Sequence, residues 1–214
     1  MLDAIILAGN GQMKTRSQTP KALIKASGKE LIAYQIDYLK DKVHKIIVAT
    51  GAGEFSKELE EFIYDTYPEM AIICISEEKP LGTAGAIKQC AKEAETDRVL
   101  VLNCDDICDI NLDELEKIKG NVICAHAPKL QFGIITKNKE KDVLGEYSFV
   151  EKPTLKNLWT NCGWYLLEKE TIKQFPFRGS IEYDIFPTLN FKIYQHLGRW
   201  NTFNTMIDVE LFEK

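Results

Sequence analysis

Four short apolar segments alternate with amphipathic segments over the first hundred residues, and this alternation constrains the fold more than any other feature. The strand-like segments are AIILAG (4–9), KIIVAT (45–50), AIICIS (71–76) and RVLVLNC (98–104). Helical periodicity covers 30–42, 56–67 and 83–95, with Ser56 placed to begin the second helix. Short apolar strands that alternate with helices form a parallel sheet with right-handed crossovers. The sequence therefore predicts an α/β fold with a mostly parallel central sheet.

The second half of the chain differs, because short polar links instead of long helices join its strand-like segments. These segments are NVICAHA (121–127), FGIITK (132–137), EYSFVEK (146–152) and NCGWYLLEK (161–169). DVLGE (142–146) is typical of a turn, and SIEYDIFPTL (180–189) predicts a short helix. We see no linker, so the two halves predict one Rossmann-like domain over 1–214 whose parallel sheet carries a mixed-sheet extension.

The composition argues against several classes of function. The 214 residues carry a formal net charge of -5, which disfavours a general binder of nucleic acid. No apolar run approaches the ~20 residues that cross a bilayer, and the N-terminus lacks the basic region of a signal peptide. The six cysteines form no Cys-x-x-Cys pair and predict neither a zinc site nor a redox motif. We therefore expect a cytoplasmic protein with reduced cysteines and no membrane partner.

A glycine-containing cationic loop follows the first strand. The stretch LAGNGQMKTRSQTPKAL (7–23) holds Gly9 and Gly11 and then the cations Lys14, Arg16 and Lys21. Glycines let the backbone approach a ligand closely, and backbone N–H groups in such a loop attract anions, so a phosphate chain is the natural guest. The loop is not a dinucleotide fingerprint, because Lys14 occupies the third glycine position, and it is not a P-loop. The alternative is an ordinary surface loop.

Two carboxylates follow the fourth strand in VLNCDD (101–106). Ligands of open parallel sheets bind beyond the carboxyl ends of the strands, so Asp105 and Asp106 are expected near the cationic loop. Carboxylates there suit Mg²⁺, which takes oxygen ligands and often bridges a protein to substrate phosphates. The alternative is that both aspartates cap a helix or are solvated.

Seven motifs, taken in order, resemble the sugar-1-phosphate nucleotidylyltransferases (NDP-sugar pyrophosphorylases), and the chain looks like a short form similar to heptose-1-phosphate guanylyltransferases. The motifs are LAGNGQMK…TPKAL, KPLGTAGAI, VLNCDD, FVEKP, TNCGWYLL, SIEYDIFPTL and GRWNTFNTMIDVELFEK. The resemblance spans nearly the whole chain. It implies the nucleotide-diphospho-sugar transferase fold, with a nucleotide-binding half over about 1–110 and a sugar-phosphate-binding half over about 111–214.

The resemblance also implies roles for individual residues. The implied catalytic residues are Lys14, Arg16, Lys21, Asp105 and Lys152. The implied nucleotide-binding residues are Leu7, Ala8, Gly9, Gly11, Glu77, Gly82 and Thr83. The implied sugar-phosphate-binding residues are Asp106, Glu151, Asn161, Gly163 and Glu182. Asp105 would hold the Mg²⁺ cofactor, and Lys152 would bind the phosphate of the sugar.

The chain departs from the family pattern at two places. The loop before Pro20 is about three residues short of the family pattern, and Lys14 stands where the family has arginine, which costs the bidentate grip on phosphate. Many members place a second Mg²⁺-binding aspartate where this chain has Thr202. We expect Asn204 to be the second ligand instead; the alternative is that Asn204 merely turns the chain.

These features predict a Mg²⁺-dependent nucleotidylyltransferase that joins an NTP and a sugar-1-phosphate to give an NDP-sugar and pyrophosphate. Glu77 can accept hydrogen bonds from the amino donors of guanine or cytosine, so GTP and CTP are favoured equally. The alternatives are a cytidylyltransferase for a non-sugar phosphate ester and a catalytically weak nucleotide-sugar-binding protein. The implied setting is nucleotide-sugar and polysaccharide biosynthesis. A homodimer is left open.

Overall fold

A computed structural model describes residues 1–9, 19–130, 132–137, 147–155 and 157–213. The strands are β1 (Asp3–Leu7), β2 (Lys25–Ala26), β3 (Lys29–Glu30), β4 (Lys45–Gly51), β5 (Ile72–Ser76), β6 (Arg98–Asn103), β7 (Asp106–Cys108), β8 (Val122–His126), β9 (Ile134–Lys137), β10 (Tyr147–Val150), β11 (Thr160–Glu168), β12 (Lys192–His196) and β13 (Trp200–Thr202). The α-helices are α1 (Leu31–Leu39), α2 (Glu54–Thr66), α3 (Gly82–Cys90), α4 (Leu112–Glu116), α5 (Lys169–Lys173) and α6 (Met206–Phe212).

A seven-stranded sheet forms the centre of the molecule in the order β12-β8-β11-β6-β1-β4-β5. The pairs β1–β4, β1–β6, β4–β5 and β8–β12 are parallel, and only β11 runs antiparallel to its two neighbours. Leu7 at the end of β1 lies opposite Asn103 at the end of β6. The predicted Rossmann-like, mostly parallel sheet with a mixed extension is therefore confirmed, and the segments after β1 and β6 leave the sheet side by side.

Helices cover both faces of the sheet, which explains why its central strands are continuous apolar runs. Successive residues of β1 point to opposite faces, so Ile6 packs with α1 and α2 while Ile5 packs with α3 and α5. On the first face Ile36 and Ile63 are fully buried, and on the second face Ile87 is fully buried. This two-sided packing fixes the strand ends that carry the candidate site.

The second helix begins at a different residue from the one predicted. Its first residue is Glu54 and its N-cap is Gly53, which has a positive φ of 83°. Ser56 lies inside the helix and is buried, and its hydroxyl lies 2.7 Å from Thr50 Oγ1 and donates to Glu60 Oε1 at 3.0 Å. The prediction that Ser56 begins the helix was wrong, because these side chains already use its hydroxyl group.

Two pairings between distant segments were not predicted. Strand β12 adds to the sheet beside β8, and β7 pairs with β13 in a separate ribbon. Pairing between segments distant along the chain leaves no local signal in the sequence. The short helix predicted over 180–189 is present as a π-helical turn at Ile181–Ile185. The predicted DVLGE turn lies outside the described residues.

Among the described residues, no helix is long and apolar enough to cross a membrane.

A buried carboxylate ties the amino-terminal edge of the sheet together. Asp3 is fully buried and accepts hydrogen bonds from the N–H groups of Glu95 and Thr96, and its Oδ1 lies 2.9 Å from His44 Nδ1. Burial alone raises the pKa of Asp3, but the bonds from Glu95, His44 and Thr96 outweigh it and hold the pKa below its ordinary value of 3.8.

Asp3→Ala is expected to lower the free energy of unfolding by about 2–4 kcal/mol, because it leaves buried donors without an acceptor. Since the folded-state pKa is depressed, the contribution of Asp3 is fully present above its unfolded pKa and is lost as the pH falls below about 4. Urea denaturation at pH 7 and pH 3 measures both effects. If Asp3→Ala lowered the free energy of unfolding equally at pH 7 and pH 3, the depressed pKa assigned to Asp3 would be contradicted.

Candidate active site

An ion pair lies at the carboxyl edge of the sheet, where β1 and β6 end. Lys21 begins a short 3₁₀ turn after Pro20, and Asp105 follows β6. Lys21 Nζ donates to Asp105 Oδ2, and the two side chains are only 13% and 19% exposed. A half-buried pair is less screened by solvent than a surface pair. The residues predicted to hold the triphosphate and the metal ion are therefore direct neighbours.

A small pocket opens at the same carboxyl edge of the sheet, where β1 and β4 end. It is lined by Leu7, Gly9, Ala49, Glu77, Pro80, Gly82, Thr83 and Ala86. The backbones of two loops meet here, because a Cβ on Gly9 would lie 2.7 Å from the Cα of Gly51. Predicted nucleotide-binding residues from two separate segments, 7–9 and 77–83, thus share one cleft. Ala8 is instead buried behind it, and the predicted residues Gly11, Lys14 and Arg16 lie outside the described residues.

Glu77 holds the turn that forms one wall of this pocket. Its Oε2 accepts a hydrogen bond from the Leu81 N–H at 2.9 Å, and its own N–H donates to the Gly51 carbonyl at 2.7 Å. Gly82 follows in this turn with a φ of +72°, and a Cβ there would overlap the carbonyl of Gly179. The turn therefore requires a glycine and is braced by a carboxylate, with Glu77 Oε1 free of hydrogen bonds to other described residues.

A hydroxyl and carboxylate network links this wall to the π-helical turn. Glu182 Oε2 accepts hydrogen bonds from Thr83 Oγ1 at 3.1 Å and from Ser180 Oγ at 2.6 Å. Thr83 Oγ1 in turn accepts from the Ile181 N–H at 2.8 Å. The predicted nucleotide-binding Thr83 and the predicted sugar-binding Glu182 are therefore in direct contact. Ser180 lies in the motif SIEYDIFPTL, but no role was predicted for it.

A bulge in β11 exposes Asn161. The pairing with β8 shifts between Asn161 and Tyr165, and Gly163 between them has a φ of +75°. Asn161 Oδ1 accepts from the Gly163 N–H at 2.9 Å, and its Nδ2 donates to the Tyr165 hydroxyl at 2.8 Å. Burial raises the pKa of Tyr165 the most, and the nearby Glu182 charge raises it further. Asn161 therefore contacts a tyrosine hydroxyl that also feels the charge of Glu182.

Asp106 is turned into the protein, unlike its neighbour Asp105. Its side chain is buried and accepts hydrogen bonds from Asn103 Nδ2 at 2.9 Å and Trp200 Nε1 at 3.0 Å. Burial, and then the Asp105 charge, raises the pKa of the Asp106 carboxyl. The carboxylate also fills the space beside Gly163. Asp106 was predicted to bind substrate, but the structure places its carboxylate beneath the site, where protein donors already engage it.

Glu151 and Lys152 follow β10 and are both exposed. A Cβ on Gly133 would lie 2.9 Å from Glu151 Oε2, so Glu151 lies beside the residue that precedes β9, at the same end of the β9–β10 ribbon. Lys152 has a φ of +44°, which is uncommon for a residue with a side chain and frequent at functional sites. Among the described residues, no hydrogen bond or ion pair joins these two to Asp105 or Asn161.

The side-chain oxygens of Asp105 and Asn204, near the end of β6, suit Mg²⁺ as ligands. The Phe203 N–H donates to the Asp105 carbonyl at 3.0 Å, which brings the exposed Asn204 close to Asp105. Asn204 Nδ2 donates to Thr202 Oγ1 at 3.2 Å, so the amide group is oriented by a neighbour. Mg²⁺ commonly takes one or two protein oxygens plus substrate phosphates, and a carboxylate with an amide oxygen fits that pattern. No three His, Cys, Asp or Glu side chains converge within the described ranges.

Known proteins resemble this chain in sequence and structure. Residues 4–178 match the family model described as nucleotidyl transferase. The chain is 27% identical to D-glycero-alpha-D-manno-heptose 1-phosphate guanylyltransferase of Campylobacter jejuni, over 89% of this chain and 87% of that protein. It is 30% identical to mannose-1-phosphate guanyltransferase of Debaryomyces hansenii over 88% of this chain, but it spans only 56% of that protein.

Solved structures agree with these sequence comparisons. HddC from Yersinia pseudotuberculosis superposes with a TM-score of 0.78 at 26% identity, covering 99% of this chain and 100% of HddC. A second crystal structure of HddC, complexed with GMP-PN, superposes with a TM-score of 0.79 at 24% identity over 100% of this chain and 98% of HddC. The predicted enzyme class is thereby confirmed, and the chain belongs to the nucleotidyl transferase family.

Proposed function

We propose that this protein is a Mg²⁺-dependent guanylyltransferase that joins GTP to a sugar-1-phosphate of the heptose class, giving a GDP-sugar and pyrophosphate. The observation that carries the proposal is that the Lys21–Asp105 pair and the pocket of Gly9, Glu77 and Thr83 lie at the same edge of the sheet. A cation for phosphate, a carboxylate for a metal ion and a cleft for a base meet at one sheet edge. Both guanylyltransferase relatives support GTP over CTP, and the relative from Campylobacter jejuni supports the heptose class.

The reaction needs positioning and charge neutralisation more than a strong base. One oxygen of the sugar-1-phosphate attacks the α-phosphorus of GTP, the new P–O bond forms, and the bond to the bridging oxygen breaks as pyrophosphate leaves. The sugar phosphate is already anionic, so no group has to be deprotonated first. Mg²⁺ held by Asp105 and Asn204 would neutralise charge on the phosphates. Lys21 would exchange Asp105 for a phosphate oxygen as the triphosphate enters.

The sugar phosphate would lie between β11 and the π-helical turn. Asn161 is exposed there, and Glu182 keeps one carboxylate oxygen free of hydrogen bonds to other described residues. Both can bond to sugar hydroxyls, since one offers donor and acceptor and the other accepts. Lys152 and Glu151 would complete the grip on the phosphate and the sugar from the β9–β10 ribbon. Gly163 shapes this side without contacting the substrate through a side chain.

Glu77 is expected to favour GTP over UTP and dTTP by roughly ten- to a hundred-fold in kcat/KM. Its free Oε1 can accept from the N2 amino group of guanine, which uracil and thymine lack, while Oε2 keeps the Leu81 N–H. A base without an amino donor leaves a charged acceptor short of a partner, which costs on the order of 1–3 kcal/mol. Glu77→Gln would turn an amino group toward the base, so the preference should shrink.

Steady-state kinetics with all four NTPs at a fixed sugar-1-phosphate measures this preference. Glu78→Gln is the matched control, because Glu78 is the adjacent carboxylate, is exposed and does not line the pocket beside Gly9. This control should keep the native ratio of GTP to UTP. A native enzyme that works best with UTP or dTTP would refute the role of Glu77.

The proposed function as a whole is tested by pyrophosphate release over a matrix of NTPs and phosphate esters. The panel contains heptose-1-phosphate, mannose-1-phosphate, glucose-1-phosphate and phosphocholine. Release should require both GTP and a sugar-1-phosphate, with the heptose ester turned over fastest. Turnover of CTP with phosphocholine alone would replace the proposal by the cytidylyltransferase alternative, and no turnover with any pair would favour a binding protein.

A further inference from the structure

We propose that Gln35, a buried residue of α1, is a positioning residue for Asp105. The inference rests on the proposed function, since Asp105 is the carboxylate assigned to the metal ion. Gln35 touches neither Asp105's carboxylate nor the candidate pocket. It acts on the backbone turn between β6 and β7, from which the Asp105 side chain projects.

One amide group of Gln35 binds most of the carbonyls of this turn. Gln35 Nε2 lies 3.1 Å from the carbonyl oxygen of Asn103, 3.4 Å from that of Cys104 and 2.9 Å from that of Asp106. A primary amide has two N–H donors, so the Asn103 and Asp106 carbonyls receive the direct bonds and Cys104 shares one of them. Gln35 thus contacts the carbonyls immediately before and after Asp105, and the Asp106 carbonyl also accepts a hydrogen bond from Trp164 Nε1 at 2.7 Å.

The carbonyl of Asp105 itself is held from the opposite side. It accepts a hydrogen bond from the Phe203 N–H at 3.0 Å, and Phe203 immediately precedes the proposed ligand Asn204. The Cys104 N–H donates to the Leu7 carbonyl at 3.1 Å, which anchors the turn to the end of β1. These bonds fix the peptide groups on both sides of Asp105, and from this position the Asp105 side chain meets Lys21.

The burial of Gln35 argues that the amide has a specific task. Gln35 is 1% exposed, and its neighbours on α1 at Leu31, Ile32 and Ile36 are fully buried apolar residues. An apolar side chain at this position would continue the apolar face of the helix at no desolvation cost. A buried amide is retained at such a place only where its hydrogen bonds are made, and here every acceptor lies within one turn of chain.

The test compares Gln35→Met with a matched control, Asn121→Ala. Methionine keeps the length of glutamine without its donors. Asn121 is also a buried amide, 8% exposed and bonded to Thr171 and Glu168, but it precedes β8 at the opposite edge of the sheet. Both variants should lose stability, while only Gln35→Met should disturb the turn that carries Asp105.

Two readouts separate positioning from simple destabilisation. The first is hydrogen–deuterium exchange of a peptide covering 103–108 in metal-free protein, which should accelerate about tenfold in Gln35→Met and stay unchanged in Asn121→Ala. The second is the Mg²⁺ concentration for half-maximal pyrophosphate release, which should rise several-fold in Gln35→Met with the KM for the sugar-1-phosphate unchanged.

Native-like exchange and native-like Mg²⁺ dependence in Gln35→Met would overturn the inference, as would equal changes in both variants. If Gln35→Met does not fold, Gln35→Asn serves instead, because it keeps the amide but shortens its reach. Gln35→Asn should then give smaller increases in the exchange rate of 103–108 and in the Mg²⁺ concentration for half-maximal activity. An inactive native enzyme would refute the proposed function alone, since the exchange measurement in metal-free protein still tests whether Gln35 holds the turn.

Discussion

Replacing Asp105 with alanine is expected to lower kcat by roughly 100- to 1,000-fold or more while the protein stays folded. The carboxylate lies at the end of β6, contacts Lys21 and is 19% exposed, so its removal opens no large cavity in the core. What it removes is the charge that would anchor the metal ion between the two anionic substrates. The loss should therefore fall on the chemical step more than on stability.

Pyrophosphate release and thermal unfolding of Asp105→Ala, compared with Asp109→Ala, measure this expectation. Asp109 is a carboxylate on the same segment, but it accepts from the Arg199 N–H at 2.7 Å and lies near His196, away from Lys21. Asp109→Ala should retain turnover within a few-fold. A near-native kcat in Asp105→Ala with saturating Mg²⁺ would rule out Asp105 as the anchor.

Gly163→Ala is expected to destabilise the protein by about 2–5 kcal/mol. The φ of +75° disfavours any side chain by about 1–2 kcal/mol. In addition, the new Cβ would overlap the Asp106 carboxylate and would lie 2.6 Å from its Cγ and 2.8 Å from Asn103 Nδ2, which adds about 1–3 kcal/mol of overpacking. The buried carboxylate cannot move away without breaking its bond to Asn103.

Gly120→Ala separates the two contributions. Gly120 also has a positive φ, of 87°, but nothing lies within 4 Å of a Cβ built there. It should therefore cost only the ~1–2 kcal/mol of backbone strain. Urea denaturation of both variants gives the difference directly. Equal losses at the two glycines would show that the packing of Asp106 against Gly163 contributes nothing to stability.

The sequence predicted the sheet and the meeting of Lys21 with Asp105 because both follow from local patterns. Apolar strands that alternate with helices must run parallel, and parallel strands present their following loops at one edge. Since β1 and β6 are adjacent, the cation after one strand and the carboxylate after the other become neighbours. These inferences needed no knowledge of contacts between distant side chains.

The sequence could not distinguish the roles of Asp105 and Asp106, because they are identical residue types at adjacent positions. Which one faces inward is decided by Trp200 and Gly163, whose positions depend on the β7–β13 ribbon and the bulge in β11. Gln35 gave only a weak signal, as a polar residue on the apolar face of a helix. Its meaning depends on carbonyls brought to it by folding.

The most direct measurement of the central claim is mass-spectrometric identification of the product formed from GTP, Mg²⁺ and heptose-1-phosphate. A GDP-heptose should appear together with an equimolar amount of pyrophosphate, and both should vanish in Asp105→Ala. Formation of GDP and phosphate in place of these products would show that the enzyme hydrolyses GTP. Formation of GDP-heptose at the native rate by Asp105→Ala would contradict the proposed site even if the reaction itself were right.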